Sequence, residues 1–287
     1  MEKPSIVFSV NNDFISYLIV ALRTLGRNNE YPIDIYIIHS DLSKENLNLL
    51  ENICGSFNYK LNPIKIDVNT FNGVREMGHL KIQAYFRIAI SNLINAKTAL
   101  YLDCDIYVKS SIREIFNINL EGYPLAAVKD PGFQPIEKLK MRPDSAYFNS
   151  GVLLMNLDFW RENNLSNFVL NYAIENTNIL SYADQCALNA VIDGKYFSLD
   201  LLYNFQTIHL ELCPESTINK AKIIHFTSSY KPTHYLNKHP FKEEYMKEFR
   251  NTPDYYKFKF KNFVRIFLKN IYLESLPSLA RKYRLIK

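Results

Sequence analysis

The sequence predicts an α/β fold with a mainly parallel central sheet in one large domain, followed by a basic, amphipathic helical tail. Short β-branched and aromatic runs alternate with longer segments of helical periodicity, the pattern of βαβ units. A chain of 287 residues, 47% of them hydrophobic, suffices to bury one large core. Composition then shifts near residue 250, which sets the expected boundaries at 1–250 and 251–287.

The elements follow in order. SIVFSV (Ser5 to Val10) reads as a strand, NND as a loop and ISYLIVALRTLGRNN as a helix ended by polar residues. IDIYIIH (Ile33 to His39) precedes a helix capped by Ser43, and NPIKID (Asn62 to Asp67) precedes a helix near QAYFRIAISNLI. TALYL (Thr98 to Leu102), LAAVKD (Leu125 to Asp130), GVLLMNL (Gly151 to Leu157) and KIIHF (Lys222 to Phe226) continue the strands, with a helix near DQCALNAVI. In open sheets of this kind ligands bind at the carboxyl ends of the strands.

One strand end is chemically unusual. YLDCDIYV (Tyr101 to Val108) carries Asp103 and Asp105 two positions apart, and on an extended chain positions i and i+2 share a face. Two carboxylates side by side repel unless a cation sits between them or water reaches them. The segment therefore reads either as a metal site or as a solvated turn beginning where the strand ends at Leu102.

Cys54, Cys104, Cys186 and Cys213 form no C-x-x-C pair, which points to free thiols in a reducing compartment rather than a disulfide framework or a zinc site. MEKPSIVFSVNND has too short an apolar run for a signal peptide, and no segment reaches the roughly 18 apolar residues of a membrane span. A cytoplasmic protein is expected. The net charge of +5 is unevenly distributed: residues 255–287 hold nine Lys or Arg and one acid, Glu274, leaving 25 basic and 28 acidic residues before them.

Six segments, taken in order, carry a resemblance: IVFSVNND, AYFRI (Ala84 to Ile88), LYLDCDIYV, YFNSGVLLMNLDFWR (Tyr147 to Arg161), YADQCALN (Tyr182 to Asn189) and IIHFTSSYKP (Ile223 to Pro232). Over about residues 5–246 the chain resembles the nucleotide-sugar glycosyltransferases of family 8, which include bacterial lipopolysaccharide α-galactosyl- and α-glucosyltransferases and glycogenin. The resemblance implies a GT-A, Rossmann-like domain that moves galactose or glucose from UDP-galactose or UDP-glucose to a glycan or glycolipid acceptor. It also implies retention of anomeric configuration.

A departing diphosphate gains negative charge, which a divalent cation held by carboxylates can neutralise. Asp103 and Asp105 would hold it, and the resemblance adds His225 as a third protein ligand. A mixed oxygen and imidazole set suits Mn²⁺ better than Mg²⁺. By resemblance, Ser9, Asn11 and Asp13 surround the nucleoside, Arg87 reaches donor sugar or phosphate, and Asp184 binds sugar hydroxyls, where the helix dipole is its structural alternative. Asn149 and Ser150, polar residues just before an apolar strand, read as facing a polar ligand, with a turn residue as the alternative for Asn149. Gln185 lies beneath the anomeric carbon, Asp130 matches an active-site aspartate, and Ser228 and Lys231 belong to a loop over the diphosphate. Residue chemistry alone leaves alternatives: Asn11, Asn12 and Asp13 as turn and cap residues, Arg87 in a surface ion pair, and Lys231 solvated. Asn11 stands where the family commonly has aspartate, Ser228 where glycine is usual, and Thr233 where an aromatic is usual.

Gln185 is a poor nucleophile, so front-face attack is the expected route to retention, in place of the double displacement of retaining hydrolases. In the tail, Lys257, Lys261, Arg265 and Lys269 recur every four residues beside Phe260, Phe263, Val264, Phe267, Leu268 and Ile271. That is a basic amphipathic helix, ended by Pro277, suited to an anionic membrane surface at the inner face of the cytoplasmic membrane or to packing on protein. Nucleic acid is not expected, because the body is acidic. Two rivals remain: an inert sugar-nucleotide or glycan-binding module, and a phosphatase of the haloacid dehalogenase type, which normally has its D-x-D near the N-terminus.

Overall fold

The computed structural model describes residues 3–76, 81–132, 134–227 and 230–267. The chain divides after Thr227 into two compact units, so residues 228–250 group with the segment that follows them.

In the first unit, β1 (Ser5–Ser9), α1 (Ile15–Asn28), β2 (Asp34–His39), α2 (Lys44–Ser56) and β3 (Lys60–Lys65) alternate strand with helix. α3 (Ile90–Leu93), β4 (Thr98–Leu102), β5 (Ile106–Val108), β6 (Leu125–Lys129) and β7 (Phe148–Asn156) follow. α4 (Leu157–Glu162), α5 (Leu165–Glu175), α6 (Ala183–Ile192), β8 (Phe197–Ser198), β9 (Phe205–Gln206), α7 (His209–Leu212), α8 (Glu215–Lys220) and β10 (Ile223–His225) complete it.

Among the described residues the main sheet has seven strands in the order β3-β2-β1-β4-β7-β6-β8, and a second sheet has the order β5-β10-β9. β3, β2, β1 and β4 run parallel, β7 runs antiparallel to both its neighbours, and β6 and β8 pair in parallel. The mainly parallel α/β sheet expected from the sequence is thus present. β4 is central, and every residue after Thr98 in it is buried and apolar, as a strand covered on both faces requires. Edge strand β3 carries Lys60, Lys65 and Pro63, which discourage pairing with another chain. Val7, Tyr101, Leu153 and Met155 of the sheet pack with Tyr85, Phe86, Trp160 and Ala187 in one core. All four cysteines are free thiols.

Three expectations change. Residues Ile82–Ala89 form a 3-10 helix running into α3 rather than one α-helix; its three-residue repeat aligns Ile82, Tyr85 and Ile88 towards the core. β7 begins at Phe148, so Asn149 and Ser150 lie inside a buried strand and not before it. Asp103 to Asp105 do not continue a strand: β4 ends at Leu102, and the chain changes sheets between the two acids. Asp103 N donates to Gly151 O of β7 at 2.8 Å, while Asp105 O accepts from Phe226 N beyond β10 at 3.1 Å.

In the second unit, α9 (Lys242–Phe249) and a helix over residues 255–267, α10, pack together. Phe258 meets Phe249 edge-on at 5.4 Å, and Asn262 Nδ2 donates to the carbonyl of buried Thr233 at 2.6 Å. Tyr256, Phe260, Phe263 and Phe267 point outward, 76%, 69%, 64% and 55% exposed. The tail positions Leu268, Lys269, Ile271 and Pro277 lie outside the described residues, as does Ser228.

Candidate active site

The sheet change at Asp103–Asp105 places both acids against the end of β10. His225 Nε2 stands 3.3 Å from Asp105 Oδ1 and 3.6 Å from Asp103 Oδ2, and the three groups lie within 4.8 Å of one another. Ligand atoms about 2.2 Å from a shared ion are roughly 3 Å apart when adjacent, so this set fits one divalent cation. The other oxygen of Asp103 is already engaged: Oδ1 accepts from Arg87 Nη2 at 3.0 Å and from Tyr101 OH at 2.8 Å. Asp103 is thereby held with Oδ2 towards His225. Gly151 makes the arrangement possible, because a Cβ there would stand 2.2 Å from His225 Cε1 and 2.6 Å from Asp103 Oδ2.

Arg87 is the buried centre of this region, only 5% exposed, which rules out the surface ion pair. Its guanidinium lies over the Tyr101 ring at 4.4 Å, bonds Ser150 through the carbonyl and through Oγ at 3.1 Å, and pairs with Asp184 Oδ2 at 3.1 Å. Burial opposes its charge, but Asp103 and Asp184 more than offset that and raise its pKa. Burial also pushes Asp184 up to about 6, only partly countered by Arg87. A carboxylate so enclosed, with Ser150 Oγ donating to it at 3.2 Å, braces Arg87.

Asp184 and Gln185 lie in the first turn of α6, which is fastened to β7 by Asn189. Its Oδ1 accepts from Phe148 N at 2.8 Å and its Nδ2 donates to Phe148 O at 2.9 Å. Gln185 Oε1 accepts from Ser150 N at 3.1 Å and Asn149 Nδ2 at 3.2 Å, and its Nε2 donates to Asp130 Oδ2 at 3.1 Å. The turn after β6 fixes Asp130 in place, with Gly132 N donating to its Oδ1 at 2.9 Å. Arg87, Asp103, Asp105, Asn149, Ser150, Asp184, Gln185, Asp130 and His225, expected together, are brought together.

The end of β1 differs. Ser9 lies beside the acids, its carbonyl accepting from Cys104 Sγ at 3.3 Å, while its own buried hydroxyl has no partner among the described residues. Asn11 Oδ1 caps a short turn by accepting from Phe14 N at 3.1 Å. Asn12 is structural: it donates to Asp41 O at 2.9 Å and accepts from Ser43 N at 3.1 Å. Asp13 is exposed. Lys231 belongs to the second unit.

Sequence reading missed Tyr101, Gly151, Asn189 and Asn204. Tyr101 carries a usable signal, two positions before Asp103 in the same segment. A buried amide such as Asn204 carries none, since nothing local separates it from a turn residue.

Comparison with known proteins agrees with this geometry. The profile of Glycosyl transferase family 8 matches residues 5–237. General stress protein A of Bacillus subtilis is 29% identical over 245 residues, covering 79% of this chain and 85% of that protein. The lipopolysaccharide 1,2-glucosyltransferase of Escherichia coli K12 is 24% identical over 266 residues, covering 87% and 78%. The structure of the galactosyltransferase LgtC with donor and acceptor sugar analogs superposes with a TM-score of 0.79 at 20% identity, covering 87% of this chain and 96% of that one. The likeness in structure establishes the GT-A fold, and the match over residues 5–237 establishes descent: this chain is a glycosyltransferase and belongs to glycosyl transferase family 8.

Proposed function

We propose that the protein transfers galactose or glucose, with retention, from a UDP-sugar to a hydroxyl of lipopolysaccharide or another cell-surface glycan. The supporting observation is the convergence of Asp103, Asp105 and His225, with Arg87 and Tyr101 turning Asp103 towards the imidazole. These three residues would hold the cation, Mn²⁺ by its mixed oxygen and nitrogen donors. When bound, it supplies Lewis acidity to the leaving diphosphate.

The residues around the cluster have separable tasks. The Ser9 hydroxyl, which has no partner among the described residues, Asn11 and Asp13 meet the nucleoside. Arg87, Asn149, Ser150 and Asp184 shape the floor beneath the donor sugar. By the sequence resemblance alone, Ser228 and Lys231 would serve the departing phosphate, which a positive charge stabilises. Both amide atoms of Gln185 are engaged, which supports a fixed dipole facing the sugar rather than a nucleophile. Front-face attack then needs no covalent intermediate, and the leaving phosphate takes the acceptor's proton. Asp130 accepts from Gln185 Nε2 and so holds that amide in place.

Titration of UDP by calorimetry with Mn²⁺ and with EDTA tests this reading. Metal-dependent binding that Asp105→Asn abolishes is expected; binding in neither condition overturns it. The outward aromatic stripe of α10, flanked by Lys257, Lys259 and Lys261, is our basis for attachment to an anionic membrane surface at the cytoplasmic face. No helix among the described residues is long and apolar enough to cross a membrane. Phe260→Glu with Phe263→Glu should abolish co-sedimentation with anionic vesicles, and unchanged co-sedimentation would remove the membrane role.

A further inference from the structure

Asn204, immediately before β9, is fully buried, and its two amide atoms face different partners. One lies 2.9 Å from Asn149 Oδ1 and the other 2.9 Å from His225 Nδ1. Backbone groups decide which atom is which. Gly151 N–H can only donate, and it points at Asn149 Oδ1 at 3.0 Å. That Asn149 atom is therefore the oxygen, and the Asn204 atom facing it is the amide nitrogen. The remaining Asn204 atom is its oxygen, so His225 Nδ1 carries a proton and Nε2 is the nitrogen turned towards Asp105 and Asp103.

The same logic extends away from His225. Ser150 N–H donates to Gln185 Oε1, which makes that atom an acceptor for Asn149 Nδ2 and leaves Gln185 Nε2 to donate to Asp130. Every donor points one way, from His225 through Asn204, Asn149 and Gln185 to Asp130. We infer that Asn204 is a positioning residue: it holds His225 as the Nδ1–H tautomer with Nε2 free for a metal ion, and joins that ligand through a one-way amide chain to Gln185 and Asp130. This rests on the cluster of Asp103, Asp105 and His225 being a metal site. An outer partner of this kind orients a ligating imidazole and raises its basicity, and chained hydrogen bonds polarise one another.

Two measurements test it. Nitrogen-15 NMR of metal-free protein should show His225 protonated at Nδ1, and Asn204→Leu should shift it towards a mixture of tautomers. Mn²⁺ titration by calorimetry should show Asn204→Leu weakened about tenfold or more. Asn204→Asp, which still accepts from Nδ1–H but cannot donate to Asn149, should bind Mn²⁺ within about threefold of the unaltered protein while turning over more slowly. A neutral His225 protonated at Nε2 in place of Nδ1 in the unaltered protein, or a folded Asn204→Leu variant with undiminished Mn²⁺ affinity, would overturn the inference. Absence of Mn²⁺ binding by the unaltered protein would instead overturn the metal reading, leaving the tautomer assignment to stand or fall on the NMR result.

Discussion

The end of β1 and the start of β7 both supply polar residues to the same edge of the main sheet, yet they are built in opposite ways. Around β7, Arg87, Asn149, Ser150, Asp184 and Gln185 are all buried and bonded to one another. At β1, among the described residues, Ser9 Oγ lacks a partner, the Asn11 side chain bonds its own turn and Asp13 is exposed. The first arrangement holds its geometry before any ligand arrives. The second would be completed by the nucleoside proposed to bind there. Preorganised groups lose little on binding, whereas a side chain ordered by the ligand subtracts its own entropy from affinity.

That contrast should be visible in stability first. Arg87→Met leaves Asp184 as an unpaired buried carboxylate and is expected to cost about 3–5 kcal/mol, read from urea midpoints. A cost below 1 kcal/mol would mean that the β7 network is not the rigid element described. Gly151→Ala forces a methyl against His225 and Asp103 and should cost about 1–3 kcal/mol while weakening metal-dependent UDP binding at least tenfold.

Asp184 adds a dependence on pH. Its carboxyl titrates at about 6 in the folded protein, above its ordinary 3.8, so between those values the folded state keeps a proton that the unfolded chain has lost. Stability should therefore fall as pH rises from about 4 to about 6, with a slope of at most about 1.4 kcal/mol per pH unit, and flatten above. Asp184→Asn should remove that component; an unchanged profile would assign the slope elsewhere. At β1 the effects on folding should be small. Asn11→Ala should cost about 0.5–1 kcal/mol through the lost cap, and Asp13→Ala less than about 0.5. Both should still weaken UDP binding, and unchanged affinity would separate the β1 end from the nucleoside.

Much of this was legible beforehand. TALYL is the observed β4, Ser43 accepts from Asn46 N as a helix cap at 3.2 Å, and His225 ends its own strand. The argument from strand alternation was different: Asp103 and Asp105 meet because the chain leaves one sheet and enters another, not because one strand carries both. The turn reading of the same residues described the backbone, and the three side chains that the metal reading requires do lie together. Of the two readings of Arg87, the surface ion pair is the one its burial removes: it turns inward, with Asp103 and Asp184 on either side of it.

The sequence by itself determined the alternation of strands and helices, the position of the acids at a strand's carboxyl end and the chemical character of the site. Each is written in the periodicity or type of neighbouring residues, a local property of the chain. Only the tertiary structure decided which oxygen of Asp103 is free, which nitrogen of His225 carries its proton, and why position 151 excludes a side chain. Those depend on groups from β4, β7, β9 and β10 meeting at one edge, and sheet order brings together residues whose separation along the chain leaves no local trace.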